Sequence, residues 1–151
     1  MKRYQSLATI IVTAVVALLL AGFLVKVILG VPTIAALFQH PFQLDESEGM
    51  IVAETMLLDR GVPIFDPITP ELFIAAPYPP VFYLACWPLQ HLLGDEPSFK
   101  IGRAISILAT LVSGAAIFGI VCSLTRSRLG GALGASLFWS LGLVTFWGSL
   151  V

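Results

Sequence analysis

The chain predicts an all-α, polytopic membrane protein with about three transmembrane helices and an extracytoplasmic loop containing juxtamembrane amphipathic helices. Three observations predict it. All nine carboxylates fall between Asp45 and Glu96. Long uncharged apolar runs flank that window: Gln5–Val25 (21 residues), Ala104–Thr125 (22) and Leu129–Val151 (23). Charged residues make up only 11% of the chain, against about 25% in ordinary soluble domains, and the mean hydropathy is +0.96. A helix rising about 1.5 Å per residue needs roughly 20 apolar residues to cross the hydrocarbon core. A carboxylate in lipid costs several kcal/mol, so the acidic window belongs outside it.

The first span is read at about 5–30, behind Lys2 and Arg3, because its 21 uncharged residues exceed the roughly 7–15 of a signal-peptide core. The apolar stretch 27–44 extends this helix out of the bilayer, with Lys26 snorkelling and Pro32 inside it. A loop follows at about 31–100, then spans at about 101–125 and about 129–151. Lys2 and Arg3 precede the first span, and Arg126 and Arg128 separate the last two. Positive residues favour the cytoplasmic side, which places the N-terminus in the cytoplasm and the acidic loop outside it. Leu72–Gly94 is also uncharged over 23 residues and offers a competing crossing. Its Pro77, Pro79, Pro80 and Pro88 favour a membrane-surface or re-entrant helix from about Pro79, since an interior proline costs about 3 kcal/mol. Trp87, Tyr78 and Tyr83 suit an interfacial aromatic belt. The last run stops at Val151 without a flanking charge. A helix ending inside a bilayer leaves its carbonyls unpartnered, so the expectation is a piece of a longer protein.

Within the loop, Asp45–Arg60 reads as a helix. Asp45 is a candidate N-cap, Glu48 the return arm of a capping box, and Gly61 with Pro63 the stop. Met50, Ala53 and Leu57, with Ile51 and Leu58, form the apolar face. Gly130 and Gly134 make a G-x-x-x-G that permits close packing. Cys86 and Cys122 stand alone in apolar stretches and read as packing residues. The chain has no basic patch, which excludes a nucleic-acid partner.

Three clusters carry candidate chemistry. Asp45, Glu46 and Glu48 gather at a helix start, where the macrodipole favours ionised carboxylates that serve as general bases or metal ligands. A solvated, capped helix start is the ordinary alternative. Tyr78-Pro79-Pro80 opens the next helix, and Gly102-Arg103 opens the second span with a guanidinium suited to a lipid phosphate or to anchoring a helix end. His40 and His91 show no partner pattern and read as interfacial polar residues.

The order LDESEG, LLDRG, Asp66, YPPVFYLACWPLQHLLG, IGRAISILATL, a basic turn and FWGSLV resembles the GT-C class of polytopic glycosyltransferases. Its nearest branch holds protein O-mannosyltransferases, the aminoarabinose transferase of lipid A and lipopolysaccharide-core transferases. The resemblance runs from about residue 8 to the end and implies an N-terminal part of a GT-C-like domain over 1–151. It implies an acidic active-site motif on a juxtamembrane helix, here Asp45-Glu46 or, in another register, Glu48-Gly49. It implies substrate contacts from Tyr78, Arg103 and Lys100. The implied donor is a polyprenyl-phosphate-linked sugar, and the acceptor a lipid, glycan or protein hydroxyl. A divalent metal ion is a further candidate for neutralising the leaving phosphate. The family carries many more spans, so the 151-residue piece is expected to be inactive alone. The rival expectation is a non-catalytic integral membrane protein, a transporter segment or an envelope-complex assembly subunit.

Overall fold

The structure is a computed structural model that describes residues 2–65, 76, 78–93 and 98–141. Among them it is all-helical, in the order α1 Lys2–Gln39, α2 Glu46–Asp59, α3 Pro80–Leu93, α4 Phe99–Thr125 and α5 Arg128–Ser140. Two stretches among the described residues are long and apolar enough to cross a membrane, Thr9–Gln39 and Phe99–Thr125. The chain divides into two compact units: one holds α1 up to Ala35 with the segment from Ala109 through α5, the other holds Ala36–Leu108.

α1 is a single helix of 38 residues that continues through Pro32. Proline there removes one backbone hydrogen bond. The extension of the first helix through the apolar stretch after Val27 is thus present, and it stops at Gln39, a few residues before Leu44. α2 begins at its expected cap: Asp45 is extended and its Oδ1 accepts the Ser47 amide at 2.9 Å. It ends as Gly61 predicts. Gly61 adopts φ +76°, its amide donates to Leu58 O at 3.0 Å, and the Val62 amide donates to Leu57 O at 2.9 Å. These are the two bonds of a Schellman stop, and the left-handed φ is open to glycine without steric cost.

The buried side of α2 is Glu48, Ile51, Glu54 and Thr55, while Met50 and Ala53 are exposed. The expected apolar face is therefore rotated toward one that carries two carboxylates. α3 starts at Pro80, where the missing amide hydrogen is not needed. At 14 residues it is about 21 Å long, short of the roughly 30 Å core, and does not cross on its own. Ile51, Ile64, Tyr83, Cys86 and Ile101 form the buried core of this unit, with Tyr78 and Phe82 packed against it. Tyr83 is thus a core residue, not a member of an interfacial belt.

In the other unit, α4 and α5 pack through small residues. A Cβ on Gly131 would meet Cys122 Sγ and lie 2.9 Å from the Phe118 carbonyl, and a Cβ on Gly114 would meet the Trp139 ring. The Trp139 indole N–H donates to Thr110 O at 3.1 Å. The intramolecular seam runs through Gly131, Gly134 and Ala135 rather than through Gly130, whose Cβ direction faces Thr125 and Ser127. The expected third span, 129–151, begins in α5, a 13-residue helix over Arg128–Ser140; 142–151 lie outside the described residues. Substituting Gly131→Ala should cost about 1–3 kcal/mol, because the backbone carbonyl of Phe118 cannot swing aside as a side chain does. Unfolding titrations in detergent check this, with Gly22→Ala as the neutral comparison, since nothing lies within 4 Å of a Cβ there.

Candidate functional site

The candidate site is organised by Arg103, in the second turn of α4 and 0% exposed. Its Nε donates to Glu48 Oε1 at 2.8 Å and its Nη2 to Glu48 Oε2 at 2.8 Å. Nη1 donates to Leu37 O at 2.8 Å and to His40 O at 2.7 Å, and Nη2 also to Phe42 O at 2.9 Å. A guanidinium has five N–H donors, and these bonds use every one. The Phe99 ring lies against it, 5.7 Å from the guanidinium carbon. The three carbonyls belong to the end of α1 and the chain just beyond it. There the last turn of a helix leaves oxygens without helical partners and the macrodipole is negative.

Glu48 is 4% exposed. Besides the two bonds from Arg103, its Oε2 accepts the Leu44 amide at 2.8 Å. It does reach back across the start of α2, but to the residue before the cap instead of to the cap itself. Glu48 and Arg103, expected as a base and a substrate contact, are in the structure each other's partner. Three of the carboxylate's roughly four lone-pair sites are filled from within the chain, and all five N–H donors of the guanidinium are given to acceptors of the chain itself.

The remaining candidates reach solvent. Asp45 is half-buried as the cap of α2, and Glu46 is exposed beside it. Lys100 is exposed one turn before Arg103. Tyr78 is half-buried, its ring 6.1 Å from that of Phe82. Asp66 lies outside the described residues. Among the described residues, no three His, Cys, Asp or Glu side chains converge as a metal-holding group. A cavity of about 20 Å³ between α2, α3 and the start of α4 is lined by Glu48, Thr55, Cys86, Gln90, Ser98 and Gly102 among others. It has room for one water and none for a sugar ring.

Two further arrangements were not visible in sequence. The Tyr83 hydroxyl donates to Glu54 Oε2 at 2.6 Å, inside the core. Burial first, and then the bond to Glu54, raise the Tyr83 pKa above its ordinary value. It therefore stays a donor. Beside it, burial pushes the Cys86 thiol up to about 11, which leaves it an inert packing group. At the far end of α2, Asp59 Oδ1 lies 2.6 Å from His91 Nδ1 and accepts the Trp87 indole N–H at 3.0 Å. His91 thus has the partner that its sequence context did not suggest. The hydrogen bond from His91, followed by that from Trp87, lowers the Asp59 pKa below the ordinary carboxylate value.

Comparison with protein-family models, with curated proteins and with solved structures gives no match.

Two outcomes are expected. Glu48→Gln or Arg103→Met alone should each destabilise the fold by about 3–5 kcal/mol by leaving one charge buried, and the double substitution should recover part of that. Arg103→Lys should not rescue, because three donors cannot meet five bonds. Thermal unfolding of the four variants measures both. Because the Asp59 pKa is lowered on folding, its link to α3 adds stability above the unfolded carboxylate pKa and loses it only as pH falls through the folded value. Amide exchange at Leu57–Val62 should therefore accelerate below that range, and Asp59→Asn should remove the acid step.

Proposed function

We propose that the chain is the N-terminal part of a GT-C-type membrane glycosyltransferase. It moves a sugar from a polyprenyl-phosphate donor to an acceptor hydroxyl on the extracytoplasmic side, with inversion. In this reading α1 and α4 span the cytoplasmic (inner) membrane, a further span follows, and the N-terminus is cytoplasmic. The loop helices lie at the outer membrane surface.

One observation supports this reading most. Arg103, at the start of one candidate span, holds the end of the other and the first turn of α2 together. The two solvent-reaching carboxylates of that turn, Asp45 and Glu46, are thereby kept at the loop ends of both apolar helices. A lipid-borne donor requires a site at the membrane surface, and an ionised base requires water; that position meets both needs.

In the proposed reaction, Asp45 or Glu46 takes the acceptor proton as the hydroxyl oxygen attacks the anomeric carbon. General-base help of this kind is worth about 10²–10⁴ in rate. The new carbon–oxygen bond forms on the face opposite the phosphate, and the phosphate leaves with the electron pair of the broken bond. A phosphate is a weak base and needs a cation more than a proton. With Arg103 fully engaged, Lys100 is the cation on α4 left to supply it. Tyr78 lines the same loop.

A second reading has its own support. Glu48, Glu54 and Asp59 are all committed to partners inside the chain. An acidic loop kept for folding alone, in a transporter segment or an assembly subunit, would use its carboxylates in that way.

The test is transfer of a labelled sugar from polyprenyl-phosphate donors by the full-length protein in membranes. Asp45→Asn and Glu46→Gln are expected to leave insertion intact, and the substitution of the true base to reduce transfer by about 10²-fold or more. Undiminished transfer in the double variant would remove this cluster from the mechanism, and no transfer by the unsubstituted full-length protein would leave the non-catalytic reading standing.

A further inference from the structure

α1 carries a single charge along its candidate span, and that charge is not at an end. Thr9–Gln39 is 31 residues long, and its one charged residue is Lys26. Lys26 is exposed and, among the described residues, has no hydrogen bond or ion pair. Its neighbours are open and apolar: Val25, Ile28 and Leu29 are 54%, 66% and 71% exposed.

The bonds of Arg103 fix the depth of this charge. After Arg103 the chain is uncharged for 22 residues, Ala104–Thr125, about 33 Å of helix against a core of roughly 30 Å. The core therefore begins on α4 just past Arg103. On α1 it begins near Leu37, whose carbonyl accepts from Arg103 Nη1 at 2.8 Å. Lys26 lies on the same helix as Leu37, about 16 Å further in by helix rise and about 13 Å at a tilt of about 40°. A four-carbon stem does not cover that distance. Lys26 at the surface would lift Arg103 out of the membrane by the same amount. The first turns of α4 would go with it, and there Leu108, Leu111 and Val112 are 61%, 52% and 59% exposed.

We infer that Lys26 lies near the bilayer midplane and pairs there with a carboxylate of a partner transmembrane helix, separate from the helices of this chain. The inference rests on α1 and α4 being membrane spans, and it replaces the snorkelling expected of Lys26 from sequence. A charge at that depth is costly unless it meets an opposite charge or a wet cavity. This chain has no anion to offer it: all nine carboxylates lie between Asp45 and Glu96, in the loop. A second copy offers none either, and in the same orientation it sets lysine against lysine. The complementary group is therefore an Asp or Glu on another helix at the same depth. The face has room for one. Gly22 and Gly30 stand one turn to either side of Lys26 on the same line of the helix, and nothing lies within 4 Å of a Cβ at Gly22. Small residues flanking the lysine let a partner backbone come close.

The experiment has two arms, both on the full chain in phosphatidylcholine vesicles. In the first, Cys86→Ala and Cys122→Ala remove the native thiols, and nitroxides at Val15→Cys, Val25→Cys and Ile28→Cys are tested for collision with oxygen and with a water-soluble nickel chelate. The oxygen-to-nickel ratio should be higher at 25 and 28 than at 15. The reverse order would put Lys26 at the surface and overturn the inference while the membrane reading stands. Nickel access at all three positions would end the membrane reading and the inference together. In the second arm, native-cysteine chain is mixed with a synthetic leucine–alanine transmembrane peptide carrying either Glu or Leu at its centre, and energy transfer between dyes on chain and peptide measures association. The Glu peptide should bind about tenfold more tightly than the Leu peptide. Lys26→Met should remove that preference, and Lys26→Glu should transfer it to a peptide with a central Lys. Equal binding of the Glu and Leu peptides, or a preference that survives Lys26→Met, would overturn the inference. Energy transfer between copies of the chain that Lys26→Met abolishes would overturn it in favour of a second copy. The second arm needs no cysteine substitution, so it decides the question even where Cys86→Ala fails to fold.

Discussion

Everything in the loop depends on one buried cation and the five oxygens around it. Taking a guanidinium out of water costs several kcal/mol, and the cost is offset only when every donor finds a partner. Arg103 achieves this by drawing on two other pieces of chain: the Leu37, His40 and Phe42 carbonyls at and just beyond the end of α1, and the Glu48 carboxylate in α2. Without Arg103, Glu48 would be a buried anion with the Leu44 amide as its donor, so the cation and the carboxylate each need the other. Lysine cannot substitute, because an ammonium has three donors and no planar fork to match a carboxylate edge-on. The loop is consequently fastened at its first residues and its last, and α2 and α3 are folded in between.

This fastening sorts the carboxylates by what they can do. Glu48 and Glu54 face inward and are bonded to Arg103 and Tyr83, and Asp59 ties the end of α2 to α3. Asp45 spends one oxygen on the Ser47 amide, and Glu46 points to water. An acidic motif that looks like one cluster in sequence is thus two devices in space, one structural and one open to solvent. In the proposed reaction the base comes from the second device, Asp45 or Glu46.

How much of this was legible follows from the range of each interaction. The cap at Asp45 and the stop at Gly61 are local: their bonds span two to five residues, and the residue types declare them. The two candidate spans were legible because lipid solubility is read from composition. The Glu48–Arg103 pair spans 55 residues and Tyr83–Glu54 spans 29. No local pattern encodes which carboxylate meets which donor across such distances. One weaker signal was present. Glu48, Ile51, Thr55 and Leu58 recur at three, four and three, which marks one helix face. Reading only apolar residues hid it, because a carboxylate occupies the first position.

Arg126 shows how topology and backbone energy meet. It follows the last residue of α4 with φ +53°, in the left-handed region that glycine fills at no cost. A side chain there costs about 1–2 kcal/mol. Glycine would serve the turn better, since Ser127 already caps α5 by accepting the Gly130 amide at 3.1 Å. The turn alone therefore does not account for an arginine. Its charge does, if this link faces an anionic membrane surface, where each basic residue gains about 1 kcal/mol. Arg126 would then recover most of its strain, and Arg128 would add a second contribution without any strain. In the proposed topology the Arg126–Arg128 link lies at the cytoplasmic membrane face, where these magnitudes balance.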